Sequence, residues 1–271
     1  MQKMIFIGHG SYGVVFSFKN RAYKVHKSKL LRNLEAWFSQ QSKNHPTILQ
    51  SVIITDVPYN ITSSPVYDAT LKEAFLRYYS TADALFVASQ LKAAFIHLSS
   101  CKIVHTDCSP TNVLVNFNLI RKMPHSYYSS PININIKQVV LADFSSAIHI
   151  THEIHSKKNV TFPNENTVCF YGKNTTLWVR PPEFYSPIST FSKLDVYKID
   201  SWSFGVLCAL TLYYKENKKG QYNNLIFGLS EDSKVDVLWN HIDQLKREIA
   251  DYKAVFCKYL QPKERRSIIT L

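Results

Sequence analysis

The 271-residue chain has no cysteine pair at metal-ligand or redox spacing, no internal repeat, no low-complexity tract and no apolar run long enough to span a bilayer. Each absence removes a class of protein. Five cysteines, Cys101, Cys108, Cys169, Cys208 and Cys257, are odd in number and unevenly spaced, which argues for reduced thiols rather than a disulfide framework or a zinc site. The longest apolar run, Phe204–Tyr214, falls well short of the roughly 20 residues that cross a membrane and reads as a buried core helix. The opening MQKMIFIG carries an apolar patch too short for a secretory segment. A soluble protein of an intracellular compartment, cytoplasmic or nuclear, is the expectation. Acidic residues are also scarce, 20 against 32 Lys and Arg, for a formal net charge of +12. The basic clusters at Lys19–Arg32, Lys215–Lys219 and Lys263–Arg266 fit a solvated surface, with anionic partners such as nucleic acid as the alternative. No base-reading motif accompanies them, and the oligomeric state is left open.

What is present is enough apolar material, 45% of residues, to bury a sizeable core. Residues 4 to 25 alternate apolar and small side chains around a glycine turn and a tight hairpin, which predicts three short strands. Ser28 is a plausible N-cap for the helix KLLRNLEAWFSQQ, with Leu30, Leu31, Leu34, Trp37 and Phe38 at helical spacing and a stop before His45-Pro46. TILQSVIIT follows as a strand. TLKEAFLRYY, ADALFVASQLKAAFIHLSS and DVYKIDSWSFGVLCALTLYY read as helices, NVLVNF and QVVLADF as strands. Strands first and helices afterwards predict an α+β protein of two segregated parts, residues 1–68 and 69–271, the boundary falling near 65 to 72.

Several short motifs carry chemistry. Gly8-His9-Gly10-Ser11-Tyr12-Gly13 fits GxGxxG, a pattern shared by dinucleotide-binding turns and plain β-turns. Here Val14-Val15-Phe16 continue as a strand, so the glycines cap a β-hairpin whose N–H groups can approach phosphates. Lys24, in Ala22-Tyr23-Lys24-Val25, lies on the next strand; alone it reads as a surface lysine. Glu35 is the only acidic residue between Lys24 and Asp56, mid-helix, where it either faces the strand or belongs to a solvated face. Further on come HTDCSPTN (105–112), Asp143-Phe144-Ser145, Thr176-Leu177-Trp178-Val179-Arg180-Pro181-Pro182-Glu183, Asp200-Ser201-Trp202-Ser203-Phe204-Gly205 and Lys263-Glu264-Arg265-Arg266-Ser267. Singly, Asp107 and Asn112 read as turn caps and Asp143 as a strand-end turn.

In this order, from Ile7 to Ser267, the motifs resemble those of the eukaryotic protein kinase superfamily: H-x-D-x-x-x-x-N, D-F-x, a P-P-E segment and a D-x-W-S-x-G helix. The resemblance implies a bilobal fold, a β-rich N-lobe and a larger helical C-lobe. It also implies transfer of the ATP γ-phosphoryl group to protein serine or threonine. ATP would lie under Ile7, Gly8, His9, Gly10, Ser11, Tyr12, Gly13 and Val15, its phosphates held by Lys24 paired with Glu35. Asp107 would orient the acceptor hydroxyl, and Asn112 and Asp143 would hold Mg²⁺. His105 would pack the loop, Asp200 would bond its backbone, Arg265 would pair with Glu183, and Thr176 would stand against Asp107.

Four departures qualify this likeness. Ser109 stands where such kinases carry a lysine; a charge about 4 Å from phosphate is worth up to roughly 4 kcal/mol at an effective dielectric near 20, so its loss slows transfer on the order of a hundred-fold. The hydroxyl-bearing form H-x-D-x-[ST]-P-x-N-V-L is most similar to the protein kinases of herpesviruses and other large DNA viruses, a host cell then being the setting. Thr106 replaces the arginine that would dock a phosphorylated activation segment, which predicts activity independent of phosphorylation at Thr161, Thr167 or Tyr171. Ser145 replaces a glycine and stiffens its turn. Long spacings predict surface insertions at RKMPHSYYSSPININ and HSKKNVTFPNEN. Two competing readings are a pseudokinase scaffold, marked by loss of Mg-ATP binding, and a small-molecule phosphotransferase, disfavoured by the P-P-E segment and the Trp202 helix.

Overall fold

The computed structural model describes residues 3–216 apart from 43–44, 56–57, 76–80, 121–132, 156–159, 172–175, 177–178, 182–183 and 185–186. Glu183, Arg265 and their expected pairing, the Lys263–Ser267 segment and most of the RKMPHSYYSSPININ insertion lie outside the described residues.

The N-terminal alternation produces three strands, β1 (Ile5–Gly10), β2 (Gly13–Phe18) and β3 (Arg21–His26). Lys19 and Asn20 join the last two with φ of 48° and 59°, the left-handed geometry that two-residue hairpin turns favour. Ser28 caps helix α1 (Lys29–Gln41), its hydroxyl accepting from the Leu31 N–H at 3.3 Å. Leu34 and Phe38, one turn apart, turn inward, while Leu30 is 58% exposed, so the apolar stripe is narrower than the sequence implied. Strands β4 (Val52–Ile54) and β5 (Ile61–Pro65) complete an antiparallel sheet of order β1-β2-β3-β5-β4. TILQSVIIT gives only three strand residues, because its first half turns elsewhere: Leu49 N–H donates to Leu141 and Leu141 N–H donates to Thr47.

After Pro65 the chain enters a different sheet. Strand β6 (Ala69–Thr70) and helices α2 (Leu71–Phe75) and α3 (Thr81–Ser100) precede β7 (Ile103–Val104), β8 (Val113–Ile120) and β9 (Asn133–Leu141). β6, β8 and β9 form one three-stranded sheet. A 3-10 turn (Phe144–Ser146) leads to β10 (Ile148–His149) and β11 (Ile154–His155), and β10 pairs with β7 on one side and β11 on the other. A third small sheet joins β12 (Val160–Asn164), β13 (Thr167–Tyr171) and β14 (Ile188–Ser192), and helix α4 (Lys198–Glu216) follows.

The molecule is thus α+β, with several small sheets and few helices. Strands do not give way to helices as the sequence implied: among the described residues, β6 to β14 all fall after residue 68, beside α2, α3 and α4. Two-residue strands such as β7 and β10 leave no periodic trace, which is why the pattern missed them. Within the HSKKNVTFPNEN segment the described residues are largely exposed, Thr161, Pro163 and Asn164 among them, but they are not without structure. The segment feeds β12, and Val160 packs with Phe170, Phe184 and Phe191 in a buried cluster.

The main core runs from α1 to α4. Leu34 and Phe38 share one buried cluster with Leu91, Phe95 and Leu98 of α3, Phe144, and Trp202 and Phe204 of α4, Phe38 stacking on Phe144. Burying Phe38 and Phe144 contributes about 1.5–3 kcal/mol each. These contacts fix α1 and the residue after Asp143 against the same scaffold. Among the described residues no helix is long and apolar enough to cross a membrane.

Candidate active site

The glycine turn sits at an edge of the first sheet. Ser11 and Tyr12 form its tip between β1 and β2, and a register shift at Ile7 bends the edge strand. A Cβ on Gly8 or Gly10 would meet nothing within 4 Å, whereas one on Gly13 would strike the Val25 carbonyl oxygen. Gly13 is therefore required for packing, and Gly8 and Gly10 leave an open approach to backbone N–H groups. Ile7 and His9 are exposed, and Val15 pairs across the sheet with Lys24, which sets the lysine one strand in from the turn.

Lys24 is the hub of a charged cluster. Its Nζ donates to Glu35 Oε2 at 2.5 Å and to Asp143 Oδ1 at 2.9 Å. The α1 helix turns Glu35 inward, its side chain 4% exposed, so the reading of a solvated helix face fails. Burial opposes the charge on Lys24, but the attraction of Glu35 and Asp143 outweighs it and raises the ammonium above its usual range. Burial pushes the Glu35 carboxyl up, partly offset by Lys24. Asp143 goes the other way: burial would raise it, yet Lys24 and the Ser145 hydroxyl and N–H bring it down to about 2. Ser145 Oγ donates to Asp143 Oδ1 at 2.5 Å, a contact that goes beyond the stiffened turn expected of this residue. Asp143 has φ 62°, a left-handed conformation that short polar residues tolerate.

The loop from His105 to Asn112 is held by backbone amides. Asp200, at the start of α4, accepts from the N–H of His105 at 2.8 Å and of Thr106 at 2.9 Å. Burial lifts its carboxyl to about 6, although His105 and these amides pull it down. His105 is fully buried, donates from Nε2 to the Ala142 carbonyl at 3.0 Å and meets Phe144 edge-on, the packing role expected of it. Thr106 has φ 65°, a strain of about 1–2 kcal/mol for a residue with a branched Cβ. Its hydroxyl donates to the Ser146 carbonyl at 2.7 Å.

Asp107 and Asn112 are braced together. Asn112 Nδ2 donates to the Asp107 carbonyl at 2.8 Å, and the Thr176 N–H donates to Asp107 Oδ1 at 2.8 Å. Thr176 thus meets the aspartate through its backbone amide. Ala142 N–H donates to the Asn112 carbonyl at 2.8 Å, which brings the segments of Asn112 and Asp143 side by side at one end of the β8–β9 hairpin. Ser109 is buried and its hydroxyl pairs with Thr111 at 2.7 Å, so it does not stand in for a cation. Burial drives the Cys108 thiol well above its normal range, with Asp200 and Asp107 adding to the effect, which makes it inert as a nucleophile.

Geometry brings Lys24, Glu35 and Asp143 into contact and places Asp107 and Asn112 together. The contributions of Ser145 and Ser146 escaped the sequence. Their only trace was two hydroxyl residues directly after Asp143-Phe144. No protein-family model matches the chain. A serine/threonine-protein kinase of Drosophila erecta is 22% identical over 263 residues, covering 90% of this chain and 31% of that protein. The chain spans about a third of the length of this relative. The similarity supports a distant, kinase-like relationship and does not bear on the viral likeness.

Proposed function

We propose that the chain is a serine/threonine protein kinase, bilobal about residues 1–68 and 69–271, that moves the ATP γ-phosphoryl group to a protein hydroxyl with Mg²⁺. One observation carries the reading: a lysine beside the glycine turn bonds at once to a buried glutamate on α1 and to the aspartate of D-F-S, 119 residues away. A buried ammonium between two carboxylates from three elements is costly as a structural device alone, because each charge must be desolvated. It suits a site where a triphosphate and a divalent cation share those charges.

The residues fit both groups. Among the described residues, the bonds to Asp143 fall on Oδ1, leaving Oδ2 as a hard anionic oxygen. Asn112 commits its Nδ2 to Asp107 and keeps its amide oxygen as a donor atom for a metal. Gly8 and Gly10 offer the open backbone that phosphate oxygens need. Mg-ATP supplies the electrophilic phosphorus and the charge neutralisation.

The chain's own groups do the rest. Lys24, fixed by Glu35, binds phosphate oxygens. Asp107 accepts the proton of the acceptor hydroxyl as its oxygen bonds to phosphorus and the β–γ bridging bond breaks, with ADP leaving. The Thr176 amide and Asn112 orient that carboxylate. Nothing replaces the cation missing at position 109 among these contacts, so turnover is slow. Protein serine and threonine are the substrates, inside a cell; the basic clusters serve as a solvated surface, with an anionic partner such as nucleic acid as the alternative.

The test is transfer of label from γ-labelled ATP to a generic basic protein. Wild type labels it; Asp107→Asn lowers the rate by about 10²–10⁴, and Ser109→Lys keeps or raises it. Loss of Mg-ATP binding in the wild type, or turnover untouched by Asp107→Asn, would favour the scaffold.

A further inference from the structure

We propose that Thr106, Ser146 and Tyr12 form a strap of hydroxyl groups that fastens the tip of the glycine turn to the loop carrying Asp107. Through it the turn stays closed without a phosphorylated activation segment. Its effect on nucleotide rests on the kinase reading; the strap itself does not.

Three links make it. Asp200 fixes the Thr106 N–H, the Thr106 hydroxyl donates to the Ser146 carbonyl at 2.7 Å, and the Ser146 hydroxyl shares a hydrogen bond with the Tyr12 hydroxyl at 3.2 Å. Tyr12 and Ser146 are 134 residues apart in sequence. Thr106 and Ser146 are 1% and 2% exposed, so an unpaired hydroxyl at either place would forfeit its hydration, and each is satisfied by the next.

Thr106 is the informative residue. A branched side chain in the left-handed region is strained, and it persists where surrounding bonds over-determine it. Here its amide and its hydroxyl are both committed. An arginine at this place would answer to a phosphate that comes and goes. The threonine hydroxyl grips the chain after Asp143 permanently, and β13 anchors that segment further along by pairing with β14.

Tyr12 completes the link. The turn has no other hydrogen bond of its side chains to the segment after Asp143 among the described residues. A phenylalanine would pack similarly but could not bond to Ser146. Tyr12 and Ser146 are therefore positioning residues: they set where the turn rests and leave the chemistry to Asp107.

Two measurements on the full chain test this. The first is amide hydrogen exchange over residues 8–13 without nucleotide, in wild type, Tyr12→Phe, Ser146→Ala and the double variant. The strap predicts exchange about 3- to 10-fold faster in each single variant, and no faster in the double. Wild-type exchange in both singles, or effects that multiply in the double, overturns it. The second is steady-state kinetics: KM for Mg-ATP rises by the same factor with kcat nearly constant. Thr106→Ser retains the wild-type values and Thr106→Val loses them; Tyr12→Phe leaves the core untouched and reads the strap even where Thr106→Val unfolds. Faster exchange in a protein that binds no nucleotide would keep the strap and sink the kinase reading. Normal turnover with unchanged exchange and KM in the variants would do the reverse.

Discussion

Around Lys24 charge does the holding at the polar end: one ammonium is shared by Glu35 from α1 and Asp143 from the end of β9, beside the apolar packing of Phe38 against Phe144. Along His105–Asn112 the work falls to amides, with Asp200 gripping two N–H groups and Asn112 and Thr176 bracing Asp107. The two carboxylates at the heart of these regions show what this means. Asp143, beside a cation, is held down to about 2 despite burial; Asp200, with only amide donors and His105 nearby, is raised by burial to about 6. A charge cluster can open when a ligand competes for Lys24. An amide-held loop cannot, because its partners are part of the backbone. On the proposed reading the first region exchanges partners and the second stays still.

The sharpest way to break this contrast is Asp200→Ala. Two buried N–H groups lose their acceptor, at about 1–3 kcal/mol each, so urea unfolding should show a loss of about 2–6 kcal/mol. A loss under 1 kcal/mol would mean the loop is held otherwise. Lys24→Met comes next. It strips Glu35 of its cation, and burial then lifts that carboxyl further above its unfolded value. The native state binds the extra proton, so stability is kept at low pH and lost as pH rises above the unfolded range near 4.5. The deficit against wild type should be larger at pH 8 than at pH 5, read from denaturation at both; a pH-independent deficit would refute the shared-cation description.

Smaller effects sharpen the same comparison. Asp143 is depressed, so its contribution to stability is complete above about pH 4 and disappears as pH falls towards 2. Ser145→Ala removes one donor, and its acid-unfolding midpoint should move up by a few tenths of a pH unit, which circular dichroism can follow. An unchanged midpoint would assign the depression to Lys24 and the backbone N–H of residue 145, without the hydroxyl. Smallest of all is phosphatase treatment. With Thr106 bonded to Ser146 instead of awaiting a phosphate, specific activity should stay within about twofold; its loss on treatment would show that a phosphate organises the segment.

Much of the site was legible because its chemistry restricts residue types. On the proposed reading a metal and a proton acceptor would call for Asn112, Asp143 and Asp107, and a phosphate for Lys24, each at a spacing that its motif dictates. Ser28 and the apolar stretch of α3 likewise announce helices through capping and composition. Hydroxyl bonds were not legible. Ser145, Ser146 and Thr106 are ordinary residues until folding brings an acceptor 2, 134 or 40 positions away within reach. The β12–β13–β14 sheet was missed for a related reason: its strands are short, and Val160, Phe170 and Phe191 become a core only once all three are paired.

Calorimetric titration of ATP into the full chain, with and without Mg²⁺, for wild type and Asp143→Asn, goes most directly to the assignment of the Lys24 cluster. The expected result is that Mg²⁺ tightens ATP binding to the wild type and that Asp143→Asn removes this gain. Equal affinity with and without Mg²⁺, or a gain that survives the substitution, would contradict it.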